Sequence, residues 1–137
     1  MIISNEEEME KFGQQLASSL KSGDIVALHG DLGAGKTTLV KGIVGELTLL
    51  PKQTVQSPTF THLHIYESEL PIYHFDLYRL KGANEFIQLG FLDFLEENGI
   101  CLIEWAERIS SLLPPNTIHV ELSQAGEGKR KIDVYKS

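Results

Sequence analysis

The chain has 137 residues, 42% of them apolar, and carries 12 Lys+Arg against 19 Asp+Glu, a formal net charge of −7. This length suits one α/β-sized domain covering residues 1–137, and the acidic balance argues against a chain that grips DNA or RNA by its own field, which draws on clustered Lys and Arg. The single cysteine, Cys101, excludes an internal disulfide, and the absence of a signal-peptide start or of an apolar run of roughly 20 residues points to a cytoplasmic protein without a membrane partner.

Ser4 and Glu7 stand at capping-box spacing, and Met9, Phe12, Leu16 and Leu20 follow at helical spacing, so a helix is expected over residues 5–21. Residues 24–29 (DIVALH) form a short, continuous apolar run that reads as a buried strand. A glycine-rich turn follows over 30–35. The next helix is expected from Lys36 to about residue 47, with Leu39, Val40, Ile43, Val44 and Leu47 facing inward. Leu50-Pro51 breaks the chain, and 51–60 reads as a loop. Residues 61–67 and 72–79 alternate at period two across a short link, the signature of a hairpin. Residues 83–97 look helical with a break at Gly90, and 100–103 is a second buried strand. Residues 117–122 and 131–135 flank Gly126-Glu-Gly128 and suggest a closing hairpin. The expected fold is α/β: a parallel central sheet flanked by helices, with added antiparallel strands.

Gly30-Asp-Leu-Gly-Ala-Gly-Lys-Thr37 satisfies the phosphate-loop pattern G-x-x-x-x-G-K-[ST] without a mismatch. Its glycines let backbone N–H groups approach phosphate oxygens, and the helix that follows aims its positive end at the same anion. Asp31, Leu32, Gly33, Ala34, Gly35, Lys36, Thr37 and Thr38 are therefore the candidate nucleotide-binding residues. Lys36 would set its charge on the β- and γ-phosphate oxygens, and the Thr37 hydroxyl could ligate Mg²⁺. The bland alternative is a glycine-rich turn with a chance Lys-Thr pair; the strand before it and the helix after it favour the phosphate loop.

Phosphate-loop proteins also place an acid at the end of a neighbouring buried strand. Glu104 closes the run Ile100-Cys-Leu-Ile-Glu104, which puts it at the carboxyl edge of a sheet where ligands bind. Glu104 is thus a candidate magnesium ligand or activator of water, against the alternative of an exposed strand-end carboxylate. His74, Asp76 and Tyr78 alternate with Phe75 and Leu77, so a strand would set the first three on one face, either functional or merely solvated, and the other two toward the core. Ser57-Pro-Thr-Phe60 occupies a loop where a γ-phosphate sensor could sit, against the alternative of a proline turn with polar residues. Lys129-Arg130-Lys131 reads as a solvated turn or a contact with RNA or an acidic partner, and Cys101 as a core thiol. The five histidines show no zinc-ligand spacing.

Four segments together, the loop 30–38, Ser57-Pro-Thr-Phe60, His74-Phe-Asp-Leu-Tyr-Arg79 and Ile103-Glu-Trp105, resemble the TsaE (YjeE) family of small bacterial ATPases in tRNA threonylcarbamoyladenosine biosynthesis. The resemblance runs over nearly the whole chain. The phosphate loop alone is generic, and the combination is specific. It implies ATP and Mg²⁺ as cofactors, Thr37 and Glu104 at the metal, and Asp76, Glu104 and Lys36 as the catalytic set. It further implies a switch-like role for the Ser57-Phe60 segment, and TsaB and TsaD homologues as partners, with tRNA met only through the complex. On this resemblance ATP hydrolysis resets the modification machinery between turnovers. One departure is Ala106, where the family often has proline; no chemical group is lost. The competing reading is a small-molecule kinase, which would need an arginine-rich lid, whereas Arg79, Arg108 and Arg130 are scattered in sequence. A guanine-specific switch is disfavoured because no Asn-Lys-x-Asp element occurs.

Overall fold

The two continuous apolar runs become neighbouring parallel strands. In the computed structural model, which describes residues 1–31, 33, 35–48, 55, 56, 58 and 60–137, β2 (Ile25–His29) pairs in parallel with β5 (Ile100–Glu104). On the other side of β2 lies β6 (Ile118–Gln124), and beyond β5 lies β4 (Ile72–Asp76), both pairings again parallel. Antiparallel strands widen this centre: β3 (Leu63–Tyr66) on β4, β7 (Arg130–Lys136) on β6, and the short β1 (Ile2–Ile3) on β7. The order across the sheet is β1-β7-β6-β2-β5-β4-β3. Every residue of β4 and β5 is buried, as expected of parallel strands covered on both faces.

An apolar layer lies on each side of the sheet. On one face Val26, Leu28, Leu102 and Val120 meet Met9 and Ala17 of α1 (Glu6–Ala17) and Leu39 and Ile43 of α2 (Lys36–Thr48). On the other, Ala27, Phe75 and Ile103 share a cluster with Phe86 of α3 (Ala83–Gln88) and with two 3-10 segments, Leu92–Leu95 and Ala106–Leu112. Helices α1 and α2 touch backbone to backbone. A Cβ on Gly13 would stand 2.5 Å from the Leu39 carbonyl oxygen, and one on Gly42 would overlap the Glu10 carbonyl.

Element boundaries shift for local reasons. Helix α1 begins one residue later than the Ser4–Glu7 box implies: Asn5 is the cap, its side chain accepting the Glu8 N–H at 2.8 Å, while the Ser4 N–H donates to the Glu8 carboxylate at 2.9 Å. Asparagine caps as well as serine, so a box displaced by one satisfies the same groups. The helix stops at Ala17, where the hydroxyls of Ser18 and Ser19 bond the Gln15 and Leu16 carbonyls. Gly90, at φ +81°, divides the expected 83–97 helix into α3 and a 3-10 turn. Strand β4 ends at Asp76 instead of 79 because its carboxylate accepts the Tyr78 N–H at 3.0 Å and turns the chain. Strand β1 and the 3-10 segment Ala106–Leu112 have no counterpart in the sequence reading. Most of the expected 51–60 loop (51–54, 57 and 59) lies outside the described residues. Among the described residues no helix is long and apolar enough to cross a membrane.

Candidate nucleotide site

The candidate residues gather at the carboxyl edge of the parallel strands. Strand β2 delivers the chain into the glycine turn, β4 ends on Asp76 and β5 on Glu104. The register sets Glu104 between Leu28 on one side and Asp76 on the other. A cleft of about 570 Å³ opens over this edge, lined by Gly33, Gly35, Lys36, Thr37, Thr38, Asp76, Tyr78, Glu104 and Trp105. The turn is about seventy residues from Glu104 and about forty from Asp76 in sequence, and the parallel pairings of β2 with β5 and of β5 with β4 bring them together.

Within the turn, Gly33 and Gly35 adopt φ +80° and +105°, a region costly for any side chain. A Cβ on Gly35 would also meet the Met9 Cε at 2.9 Å. Helix α2 starts at Lys36, and its first N–H groups lack intrahelical acceptors, which is the donor arrangement an anion needs. The Lys36 side chain is buried, its ammonium donating to the Gly30 carbonyl and lying 3.8 Å from the centre of the Trp105 ring. Burial lowers its pKa, with Glu104, Glu107, Asp76 and Asp31 pulling the other way. Asp31 itself is exposed, and Leu32 and Ala34 lie outside the described residues.

Glu104 and Asp76 are only 3% and 4% exposed, so neither is a solvated strand-end carboxylate. Glu104 Oε2 lies 2.6 Å from His74 Nε2 on the neighbouring strand. The His74 ring is fully buried, which overturns the solvated alternative for that strand face. Trp105 takes the left-handed conformation (φ 60°, ψ 41°) immediately after Glu104 and packs on Tyr78 at 5.0 Å. A left-handed bulky residue beside buried acids is the kind of local strain that collects at functional sites.

Several wall residues escaped the sequence reading. Ile3, Asn5, Glu6 and Met9 close one side of the cleft, and Gly128 and Arg130 another. Arg130, read as part of a solvated or RNA-binding turn, instead donates through Nη2 to the Gly33 carbonyl at 3.1 Å and through Nη1 to Gln124 Oε1 at 3.0 Å. Its placement depends on the β6–β7 pairing and could not be seen from spacing. Of the Ser57-Phe60 segment, Ser57 and Thr59 lie outside the described residues; Pro58 is buried, and Phe60 is exposed with the Arg79 guanidinium over its ring at 4.6 Å. Among the described residues no group of three or more His, Cys, Asp or Glu could hold a metal ion. The donors that line the cleft, the Thr37 hydroxyl and the carboxylates of Glu104 and Asp76, are hard oxygens. They suit a Mg²⁺ ion that completes its shell with phosphate oxygens and water.

Known proteins resemble this chain over most of its length. A family model described as "Threonylcarbamoyl adenosine biosynthesis protein TsaE" matches residues 3–132. The chain is 47% identical over 135 residues to the tRNA threonylcarbamoyladenosine biosynthesis protein TsaE of Rickettsia felis, covering 95% of this chain and 75% of that protein. To its namesake from Bacillus subtilis it is 39% identical over 129 residues, covering 93% and 79%. A crystal structure of Bacillus subtilis YdiB superposes with a TM-score of 0.77 at 33% identity, covering all of this chain and 83% of that one. With a glycine turn facing two buried acids, and with the match running from the first strand to the last, the chain belongs to the TsaE family.

Proposed function

We propose that the protein binds ATP with Mg²⁺ and hydrolyses it as a subunit of the bacterial tRNA threonylcarbamoyladenosine machinery, acting with TsaB and TsaD homologues and meeting tRNA only through that complex. The observation that carries the reading is the cleft in which Lys36 and Thr37, at the start of α2, face Asp76 and Glu104 at the ends of β4 and β5. The backbone turn and Lys36 bind and orient the β- and γ-phosphates. Thr37 and Glu104 would hold Mg²⁺, whose chemistry is to neutralise the charge that develops on the phosphate oxygens. Asp76 and Glu104 both lie where a carboxylate can orient a water toward the γ-phosphate and receive its proton. Both carboxylates are candidates for positioning that water.

A subunit that works by resetting a larger machine should turn over slowly by itself. The test is ATP hydrolysis by the purified protein, alone and with purified TsaB and TsaD. Strong stimulation by the pair, abolished by Lys36→Ala, is the expected result. Bound ATP without stimulation, or γ-phosphate appearing on a metabolite, would replace this reading with a binding module or a kinase.

A further inference from the structure

We propose that His74 is the positioning residue for Glu104, and that Tyr66 in turn holds the His74 ring. The inference rests on the reading of Glu104 as part of the hydrolytic site. His74 sits two residues before Asp76 on β4, on the sheet face that looks toward α2, and its ring is 0% exposed. Its Nε2 lies 2.6 Å from Glu104 Oε2, a contact short enough for a charge-assisted bond. A carboxylate removed from water needs such a donor. The register gives Glu104 a second acid, Asp76, as its direct neighbour on β4. Committing Oε2 to the ring therefore fixes a flexible three-torsion side chain and leaves Oε1 for the cleft that Glu104 lines.

The ring itself is fixed from behind. Because the carboxylate accepts, Nε2 carries a hydrogen, and Nδ1 is the polar atom left on the other side of the ring. The Tyr66 hydroxyl stands 3.5 Å from Nδ1, at the long limit of a hydrogen bond, and the two rings lie nearly parallel at 23°. Burial raises the pKa of the Tyr66 hydroxyl, and the Gln56 backbone works in the opposite direction. A buried polar line thus runs from Tyr66 through His74 to Glu104.

The test uses the full chain with its TsaB and TsaD partners, reading steady-state ATP hydrolysis and, separately, Mg-ADP affinity by calorimetry. His74→Leu should lower kcat about 10- to 100-fold, the usual effect of losing the residue that orients a ligand. Its Mg-ADP affinity and KM should stay within about threefold. His74→Gln, whose amide nitrogen can occupy the place of Nε2, should recover most of the rate. His74→Asn, whose amide reaches only the place of Nδ1, should not. If His74→Leu fails to fold, the Gln-against-Asn contrast carries the test alone. In a Glu104→Gln background, His74→Leu should add no further loss. Wild-type kcat in His74→Leu or in His74→Asn overturns the proposal, as do additive losses in the double variant, or kcat and affinity falling together without rescue by Gln. The two readings fail differently. Wild-type hydrolysis by Glu104→Gln removes the role of Glu104 and this proposal with it, whereas an inactive Glu104→Gln beside a fully active His74→Leu removes this proposal alone.

Discussion

Replacing Lys36 with methionine should make the ligand-free protein no less stable while crippling its hold on nucleotide. The lysine is 5% exposed, and burial is the largest influence on its pKa, which falls below the ordinary lysine value despite four surrounding acids. A base whose folded pKa lies below its unfolded one binds its proton more weakly in the fold. The charged lysine therefore costs stability in full below the folded pKa, and the cost fades as the pH climbs from there to the unfolded value of 10.5, above which it is gone. Methionine fills the same channel along the Trp105 ring without a charge to desolvate. At neutral pH the Tm of Lys36→Met should match or exceed that of the wild type, with the gap closing in strongly alkaline buffer. Nucleotide binding should move the other way. Truncating one partner of a buried, hydrogen-bonded charge pair costs about 2–5 kcal/mol. At about 1.4 kcal/mol per tenfold, Mg-ADP should bind roughly 30- to 4,000-fold more weakly. Calorimetric titration reads the affinity without relying on Trp105, whose emission the substitution itself alters, and a thermal melt reads the stability. Affinity within about threefold of wild type would refute the phosphate role of Lys36. A Tm lower by more than about 5 °C would refute the argument that burial outweighs the neighbouring acids.

Glu104→Ala should lower partner-stimulated hydrolysis about 100-fold or more, since it removes the carboxylate proposed to act at the reacting phosphate, yet leave Mg-ADP affinity far less affected; equal losses in both would assign Glu104 to binding alone. Gly42→Ala should destabilise by about 1–3 kcal/mol in a denaturant melt, because the added methyl overlaps the Glu10 carbonyl and neither backbone can yield. Gly45→Ala, on the same helix with nothing within 4 Å of the new Cβ, should instead gain about 0.5–1 kcal/mol. Cys101, whose thiol is buried against the Phe94 carbonyl and pushed up to about 12, should resist a disulfide reagent in the native protein at about pH 8 and react promptly once guanidinium unfolds the chain. Rapid native labelling would show that the α3 side of the sheet opens far more often than its burial implies.

What could be read from the sequence divides by how local its cause is. Strands β2 and β5 announce themselves because a strand covered on both faces must be apolar at every position, and the glycine turn announces itself because only glycine serves at φ +80° and +105°. Glu104 and Lys36 follow from those two elements, since each sits at a fixed offset from a recognisable end. The His74–Glu104 contact was half legible. Alternation along 72–79 sets His74 and Asp76 on one face, but it cannot say whether that face meets water or a helix. Only the covering of β4 by the α2 layer, a long-range fact, turns a polar row into a buried one, and only the register of β4 on β5 decides which acid the ring meets. Arg130 and the wall of Ile3, Asn5 and Met9 were illegible for a stronger reason. Ile3 and Arg130 reach the cleft through the antiparallel additions β1–β7 and β6–β7, Asn5 and Met9 through the packing of α1 on α2, and the bond from Arg130 to the Gly33 carbonyl joins positions 97 residues apart. A two-residue strand such as Ile2–Ile3 carries no periodicity from which to infer a pairing. The parallel centre, which carries the proposed chemistry, is therefore written in local patterns. The parts that enclose the cleft are written in pairings between the two ends of the chain, and no single segment records them.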